Sequence, residues 1–369
     1  MSEEDLALLK KISNYFDYVL KFGISIEEND YIEIITTSYI DKYLSLLIER
    51  LKKYNANIFI TYIDGEQLEQ IINGDYNAYI NDKVSMYHML IEKKFKRLSI
   101  ISPFVMPMAR TKNAIEYLKQ NYKMLFVRNY FLKNPHTIFP VANEYWAFKL
   151  QIKEEKLWDI IFEYTYKTSE LEYFKDELSN MNLKTLHFKT KLGTDLCVGL
   201  PKDSKFLGKK WNSNEIEYQP NIPCLEIFIS PDKFKVDGKL VSSKPLFYSG
   251  YYINNFEIEF KDGKIINQKG LDSILSLEEN LLYAGEIALV LDFNPFLFYS
   301  TIMDENSGCH LALGNGYTEG AKNTDRINYS KYHIDLVFGT EDIDVYGIDY
   351  NDNIINIIVD GKLQRNWYV

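Results

Sequence analysis

Two histidines in the second half of the chain, His310 and His333, each have a carboxylate close by in the sequence, residue types that could do metal chemistry. His333-Ile334-Asp335 is an i, i+2 pair, which on a strand points both side chains to one face. His310 follows Glu305 by five residues, a spacing that does not share one face of a helix, so Asp304 to His310 reads as a loop or strand end. Imidazole nitrogen with carboxylate oxygen suits zinc, cobalt or manganese. A lone histidine near an acid is more often an ordinary hydrogen-bonding group, and a single HxD is weak as a motif. Neither HExxH nor HxxEH occurs, which excludes the common helical zinc-protease motifs.

Glu226 and Glu286 sit in apolar company. The first lies in Asn221-Ile222-Pro223-Cys224-Leu225-Glu226-Ile227-Phe228, the second in Ala284-Gly285-Glu286-Ile287-Ala288-Leu289-Val290. Buried acids are rare unless paired or bound to a cation. Taken singly, each reads more simply as an outward-facing residue of an amphipathic strand.

The elements that must position these residues fall into two halves. The chain has 369 residues, enough for two domains with large cores. Asp5 to Phe22 has apolar residues at helical spacing. Tyr31-Ile32-Glu33-Ile34-Ile35, Asn57 to Tyr62 and Leu98 to Ile101 read as strands, with helices over Ile40–Lys53 and Ser85–Phe95 between them. A fourth strand is expected around Leu125-Phe126-Val127, and Trp146 to Glu172 reads as helical. Strand and helix alternating in this way predict a parallel sheet flanked by helices. From Leu183 onward short strands dominate, with turn signals at Asp237-Gly238, Asp262-Gly263 and Asp360-Gly361, and a helix is expected over Leu271–Leu281. The expected architecture is therefore an α/β N-terminal domain over 1–183 and a mixed α+β domain rich in antiparallel strands over 184–369.

Composition narrows the function. The net charge is −10, which disfavours a nucleic-acid partner, and the short basic run Lys93 to Arg97 reads as a solvated face. Three cysteines, Cys197, Cys224 and Cys309, form no CxxC, the thiol usage of a reducing compartment. The acidic start lacks the features of a signal peptide, and the most apolar stretch, Ile287 to Met303, is interrupted by Asp292, Asn294 and Pro295. A cytoplasmic protein without a membrane span is expected. No glycine-rich turn follows the first strand, where Ile35-Thr36-Thr37-Ser38-Tyr39 stands, which argues against a nucleotide-binding sheet.

In sequence order, the motifs become a family pattern. Asn-x-Pro-x-x-Glu-Ile-Phe at 221–228, Gly-Glu-Ile-Ala-Leu-Val at 285–290, Asp-Glu-Asn-x-x-x-His-x-Ala-Leu-Gly-x-Gly-Tyr at 304–317 and Asn-x-Ser-x-x-His-x-Asp at 328–335 resemble the aminopeptidase T family of dinuclear metallo-aminopeptidases. Gly193-Thr194-Asp195-Leu196 and the run from Ser230-Pro231 to Pro245-Leu246 add to the resemblance, which is strong over 190–340 and traceable earlier through Pro140 and Trp146-Ala147.

The resemblance implies two divalent ions, zinc, cobalt, manganese or magnesium, held by Glu226, Glu286, Glu305, His310, His333 and Asp335, with Glu286 bridging both. It implies Tyr317 as an active-site tyrosine, and Glu226 or Glu286 as the acceptor of the attacking water's proton. It also implies peptide substrates with a free N-terminus, and a homodimer. The three cysteines are expected as small apolar fillers behind the ligands. Two features depart from the pattern: Leu225 stands where the family carries glycine or a second acid, and the chain is short, mostly within 65–150. They motivate the alternative of a catalytically lapsed member that binds metal or peptide, or serves as a structural dimer.

Overall fold

The computed structural model describes residues 3–64, 69–71, 73–102, 114–248 and 251–365. Parts of the segment read as shortened lie outside them. Contacts divide the chain into two units, one of Met1–Lys167 with Lys209–Cys224, the other of Thr168–Gly208 with Leu225–Val369. Among the described residues no helix is long and apolar enough to cross a membrane.

In the first unit, the opening helix Glu3–Tyr18 buries Ile12 and Phe16 of the apolar stripe read from the sequence, with Tyr15 beside them, while Leu6 at its start is exposed. Strands are numbered along the chain. The parallel strands β1 (Tyr31–Thr36), β2 (Asn57–Tyr62), β3 (Lys96–Ile101) and β4 (His136–Pro140) form a sheet in the order β2-β1-β3-β4. Helices Asp41–Lys52 and Tyr76–Glu92 connect them; the second starts earlier than Ser85 because Asp75 caps it, accepting from Ala78 N at 3.0 Å. The central strand carries a fully buried acid, Glu33. Arg97 Nε (2.7 Å), Tyr87 Oη (2.9 Å) and Thr61 Oγ1 (3.1 Å) donate to it, so its carboxyl oxygens are not left unsatisfied by burial.

The fourth strand is not where the sequence predicts it. Leu125–Phe131 is a helix, and β4 follows it. The apolar run there continues to Tyr130 and Phe131. At helical spacing this buries Val127 and Phe131 together against Tyr87, Leu90 and Phe95.

His136, on β4, donates from Nδ1 to Asn134 O (3.1 Å) and lies between the rings of Phe131 and Tyr218. Burial, helped by the nearby Arg97 charge, pushes its pKa down to about 4. The folded value is below the unfolded one, so the stability from holding it neutral is complete above about pH 6.5 and is lost as pH falls toward 4. We expect His136→Gln to flatten the decline in unfolding free energy over that window. The expected difference is at most about 3 kcal/mol, reduced by the ring's partial exposure. Urea melts at several pH values check it; parallel wild-type and variant curves would refute it.

The second unit is antiparallel. Its strands are β5 (Leu183–Lys189), β6 (Asp195–Gly199), β9 (Glu226–Ile229), β10 (Val236–Val241), β13 (Glu257–Lys261), β14 (Lys264–Lys269), β15 (Ala284–Val290), β16 (His310–Gly314), β17 (His333–Val337), β18 (Asp344–Asp349), β19 (Ile354–Val359) and β20 (Lys362–Leu363); β11 (Leu246–Tyr248) and β12 (Tyr251–Ile253) form a small hairpin, as do β7 (Trp211–Ser213) and β8 (Ile216–Tyr218) in the first unit. An eight-stranded sheet runs β14-β13-β10-β6-β5-β18-β19-β20, and a four-stranded sheet runs β17-β16-β15-β9. Asp262-Gly263 and Asp360-Gly361 are hairpin turns, as expected. Asp237-Gly238 is not: it lies inside β10. Gly238 has φ +109°, and a Cβ there would strike the Asp195 carbonyl, so the glycine serves close strand approach rather than a turn. Leu271–Leu281 splits into one helical turn, Asp272–Leu275, and a 3-10 turn, Glu279–Leu282.

Candidate metal centre

Every residue of β9, β15 and β16 is buried, yet these strands carry Glu226, Glu286 and His310. Register explains why the polar side chains meet. Glu226 pairs with Val290, Ala288 with His310, and Ala312 with both Glu286 and Asp335. With a side-chain period of two, Glu226, Glu286, His310, His333 and Asp335 all leave the same face of the four-stranded sheet. Ala288 and Ala312 stand among them, and their single methyl groups leave room for the cluster. His333 and Asp335 share a strand face, as their spacing predicts.

The distances define two groups. His310 Nε2 lies 3.0 Å from Glu226 Oε2 and 3.5 Å from Glu286 Oε1. His333 Nε2 lies 3.4 Å from Glu286 Oε2 and 3.2 Å from Asp335 Oδ1. Glu286 thus offers one oxygen to each group. Glu226, Glu286 and His310 form one triad able to hold a cation; Glu286, His333 and Asp335 form the other.

Glu305 is placed differently from the expected loop or strand end. It closes a single helical turn, Thr301–Glu305, is buried, and hydrogen-bonds Asp335. Burial, then the charges of Asp335 and Glu226, push its carboxyl well up. Burial likewise raises Glu226, against the pull of His310. Burial also acts to raise Glu286 and Asp335, but their histidine partners outweigh it. Hydrogen bonds from His310 and His333 hold Glu286 down, and His333 holds Asp335 at about 2. Burial disfavours the charged form of both imidazoles, yet the surrounding carboxylates raise them well above the usual value. Three buried acids and a half-buried one, Asp335, gathered this closely call for positive charge, from protons or from metal.

The donor set fits metal. His310 Nδ1 faces Gly308 O at 3.2 Å and His333 Nδ1 faces Asn315 O at 2.8 Å. A carbonyl only accepts, so each Nδ1 carries its hydrogen, and each Nε2 is the atom left to coordinate. This is the outer-shell arrangement that orients metal-binding histidines.

Tyr317 borders the cluster. Its ring is 5.5 Å from that of His333 and 5.2 Å from that of Phe228, and its N–H donates to Ser230 Oγ at 2.7 Å. Burial and the charges of Glu286 and Asp335 raise its hydroxyl well above the usual value, so it remains a donor.

Sequence reasoning missed the supports. Lys244 is buried with its Nζ 2.6 Å from Ser307 Oγ, 2.7 Å from Phe296 O and 3.5 Å from Asp304 Oδ1, next to Glu305. Asp304 also accepts from the N–H groups of Phe298 and Ser300, closing the turn that presents Glu305. Asn306 accepts from Leu225 N at 2.5 Å and so ties the chain before Glu226 to this turn. Lys244→Met would leave Asp304 buried without its cation. We expect a loss of about 3–5 kcal/mol in unfolding free energy, with Lys244→Met/Asp304→Asn recovering part of it. Denaturant melts check this; a loss below about 1 kcal/mol would contradict it.

The cysteines are not all fillers behind the ligands. Cys309 is one, buried with Sγ against Val290. Cys197 lies on β6, in the other sheet.

The model of the thermophilic metalloprotease family (M29) matches residues 9–363. The chain belongs to this family. Membership makes it a metallopeptidase-class hydrolase and implies a divalent metal cofactor. Among curated relatives, Aminopeptidase AmpS of Bacillus subtilis (strain 168) is 26% identical over 92% of this chain and 95% of its own length. Aminopeptidase T of Thermus aquaticus is also 26% identical, over 93% of this chain and 95% of its own. The solved structure of wild-type AmpT from Thermus thermophilus superposes with a TM-score of 0.83 at 22% identity, covering 96% of this chain and 99% of that one, which shows a shared fold.

Proposed function

We propose that this chain is a metal-dependent aminopeptidase that removes N-terminal residues from peptides at a dinuclear site. The observation that carries the proposal is Glu286, with one carboxylate oxygen toward each of two histidine–acid groups. Glu226, Glu286 and His310 would hold one divalent ion, and Glu286, His333 and Asp335 the other, with Glu305 beside them. Such ions supply Lewis acidity that polarises the scissile carbonyl and lowers the pKa of the attacking water.

The chain's own residues do the rest. Glu286 faces both histidines, and Glu226 lies 3.0 Å from His310. Either Glu226 or Glu286 would take the water's proton and return it to the leaving amine. The Tyr317 hydroxyl donates to the oxyanion as the carbonyl becomes tetrahedral. A carboxylate of the cluster accepting from a substrate's free α-ammonium would select free N-termini. The mixed donor set, four acids and two imidazoles, accepts zinc, cobalt, manganese or magnesium.

A panel of aminoacyl-p-nitroanilides, assayed after metal stripping and reloading, tests this reading. Release that returns with metal and is blocked by N-acetylation of the substrate is expected. No release with any metal from a folded protein that binds two ions would favour a lapsed family member. The resemblance and the thiol usage extend the proposal to a homodimer acting in the cytoplasm, with 184–369 as its catalytic domain; a monomeric mass in sedimentation would remove the dimer.

A further inference from the structure

The eight-stranded sheet carries a second cluster of ligand-type side chains, on a different surface from the acid cluster. A groove of about 780 Å³ crosses it, with His187, Cys197 and Asp237 among its lining. His187 pairs directly with Cys197 across β5 and β6, and Cys197 pairs with Asp237 across β6 and β10. Residues directly opposite in antiparallel strands project from the same face, so the three form one row.

The geometry within the row is close. Cys197 Sγ lies 3.4 Å from His187 Nε2, and Thr185 Oγ1 lies 3.3 Å from the same nitrogen. The His187 ring lies flat against Tyr346, with centroids 4.7 Å apart and planes 6° from parallel, which fixes its direction. Asp237 is anchored by the Asp262 N–H at 2.8 Å.

A thiol beside an imidazole has two obvious uses, nucleophile or ligand. Burial raises the Cys197 thiol, with Asp237 and Asp195 adding to it, and burial lowers His187. The pair at neutral pH is thus a thiol and a neutral imidazole, not the thiolate–imidazolium of an activated nucleophile. A neutral imidazole, a displaceable thiol proton and an adjacent carboxylate suit a cation instead. Tetrahedral coordination with bonds of about 2.3 Å to sulfur and about 2.0 Å to nitrogen separates those atoms by about 3.5 Å. The observed 3.4 Å is within a few tenths of it.

We propose that Cys197 and His187 form an accessory site for a thiophilic transition-metal ion of the zinc type, with the Asp237 carboxylate on the neighbouring strand adding negative charge. Binding forms bonds from the ion to sulfur and to Nε2, and releases the thiol proton to solvent. Water fills the coordination left open toward the groove, so the ion is exchangeable.

Cobalt(II) is the probe. Thiolate coordination gives an intense near-ultraviolet charge-transfer band, which carboxylate and imidazole ligands do not produce. The metal-stripped full chain, titrated with cobalt without competing thiols, is expected to develop this band. It is expected to disappear in Cys197→Ser, to form only at higher cobalt in His187→Gln and Asp237→Asn, and to persist in Cys224→Ser. Cobalt is also expected to slow alkylation of Cys197 by iodoacetamide in the wild-type chain, a readout that needs no variant to fold. Absence of the band at saturating cobalt, its survival in Cys197→Ser, or alkylation of Cys197 unaffected by cobalt would overturn the proposal.

Discussion

Glu286→Gln is expected to lower kcat for peptide hydrolysis by about a thousandfold or more, equivalent to about 4 kcal/mol of transition-state stabilisation. The side chain keeps its size, so the all-buried strand β15 that carries it should still pack. What changes is the shared carboxylate. One of its two oxygens becomes an NH2 group, which donates rather than accepts and offers no lone pair to a cation. The variant therefore loses a charge and one side of the bridge together. Steady-state kinetics at saturating metal, with far-ultraviolet circular dichroism as the fold control, measure the effect. Activity within tenfold of wild type would mean that Glu286 is not the shared ligand.

Tyr317→Phe is expected to lower kcat by about a hundred- to a thousandfold with little change in KM. The substitution keeps the ring that packs on Phe228 and His333, and the backbone bond to Ser230 does not involve the side chain. Only the hydroxyl is lost. Its pKa is held well above the usual value, so it is protonated across the working pH range and available as a donor. A donor used mainly in the transition state shows in kcat, whereas a packing role would leave kcat unchanged. An unaltered kcat therefore removes Tyr317 from the proposed chemistry.

Much of the fold was legible because its signals are local. The strands β1 and β2 lie within one residue of their sequence boundaries, since β-branched runs between polar turns allow few alternatives. Leu125-Phe126-Val127 is ambiguous by nature: three apolar residues fit a strand or one helical face, and only packing against Phe95 decides. Asp237-Gly238 carries a turn signal, but register places it mid-strand, where the glycine answers a neighbouring carbonyl.

Legibility at the acid cluster differed by residue. His333 and Asp335 are two apart, so one strand suffices to bring them together. Glu226 and Glu286 could be seen as acids in apolar runs, but their meeting depends on β9 and β15 pairing antiparallel, which sequence spacing does not encode. Lys244 gave no sign at all. Its role arises from Asp304, sixty residues away, and only burial makes that pair costly to break. The same holds for His187 and Cys197, two unremarkable residues until β5 and β6 align them.

The most direct test of the central claim is to titrate the stripped chain with cobalt while recording release of an N-terminal residue. A Cys197→Ser background keeps the sheet-face site out of the count. Activity is expected to rise with added metal and level off at two ions per chain, with Glu286→Gln showing neither the activity nor the two-ion endpoint. Full activity at one ion per chain, or a two-ion endpoint unchanged by Glu286→Gln, would contradict it.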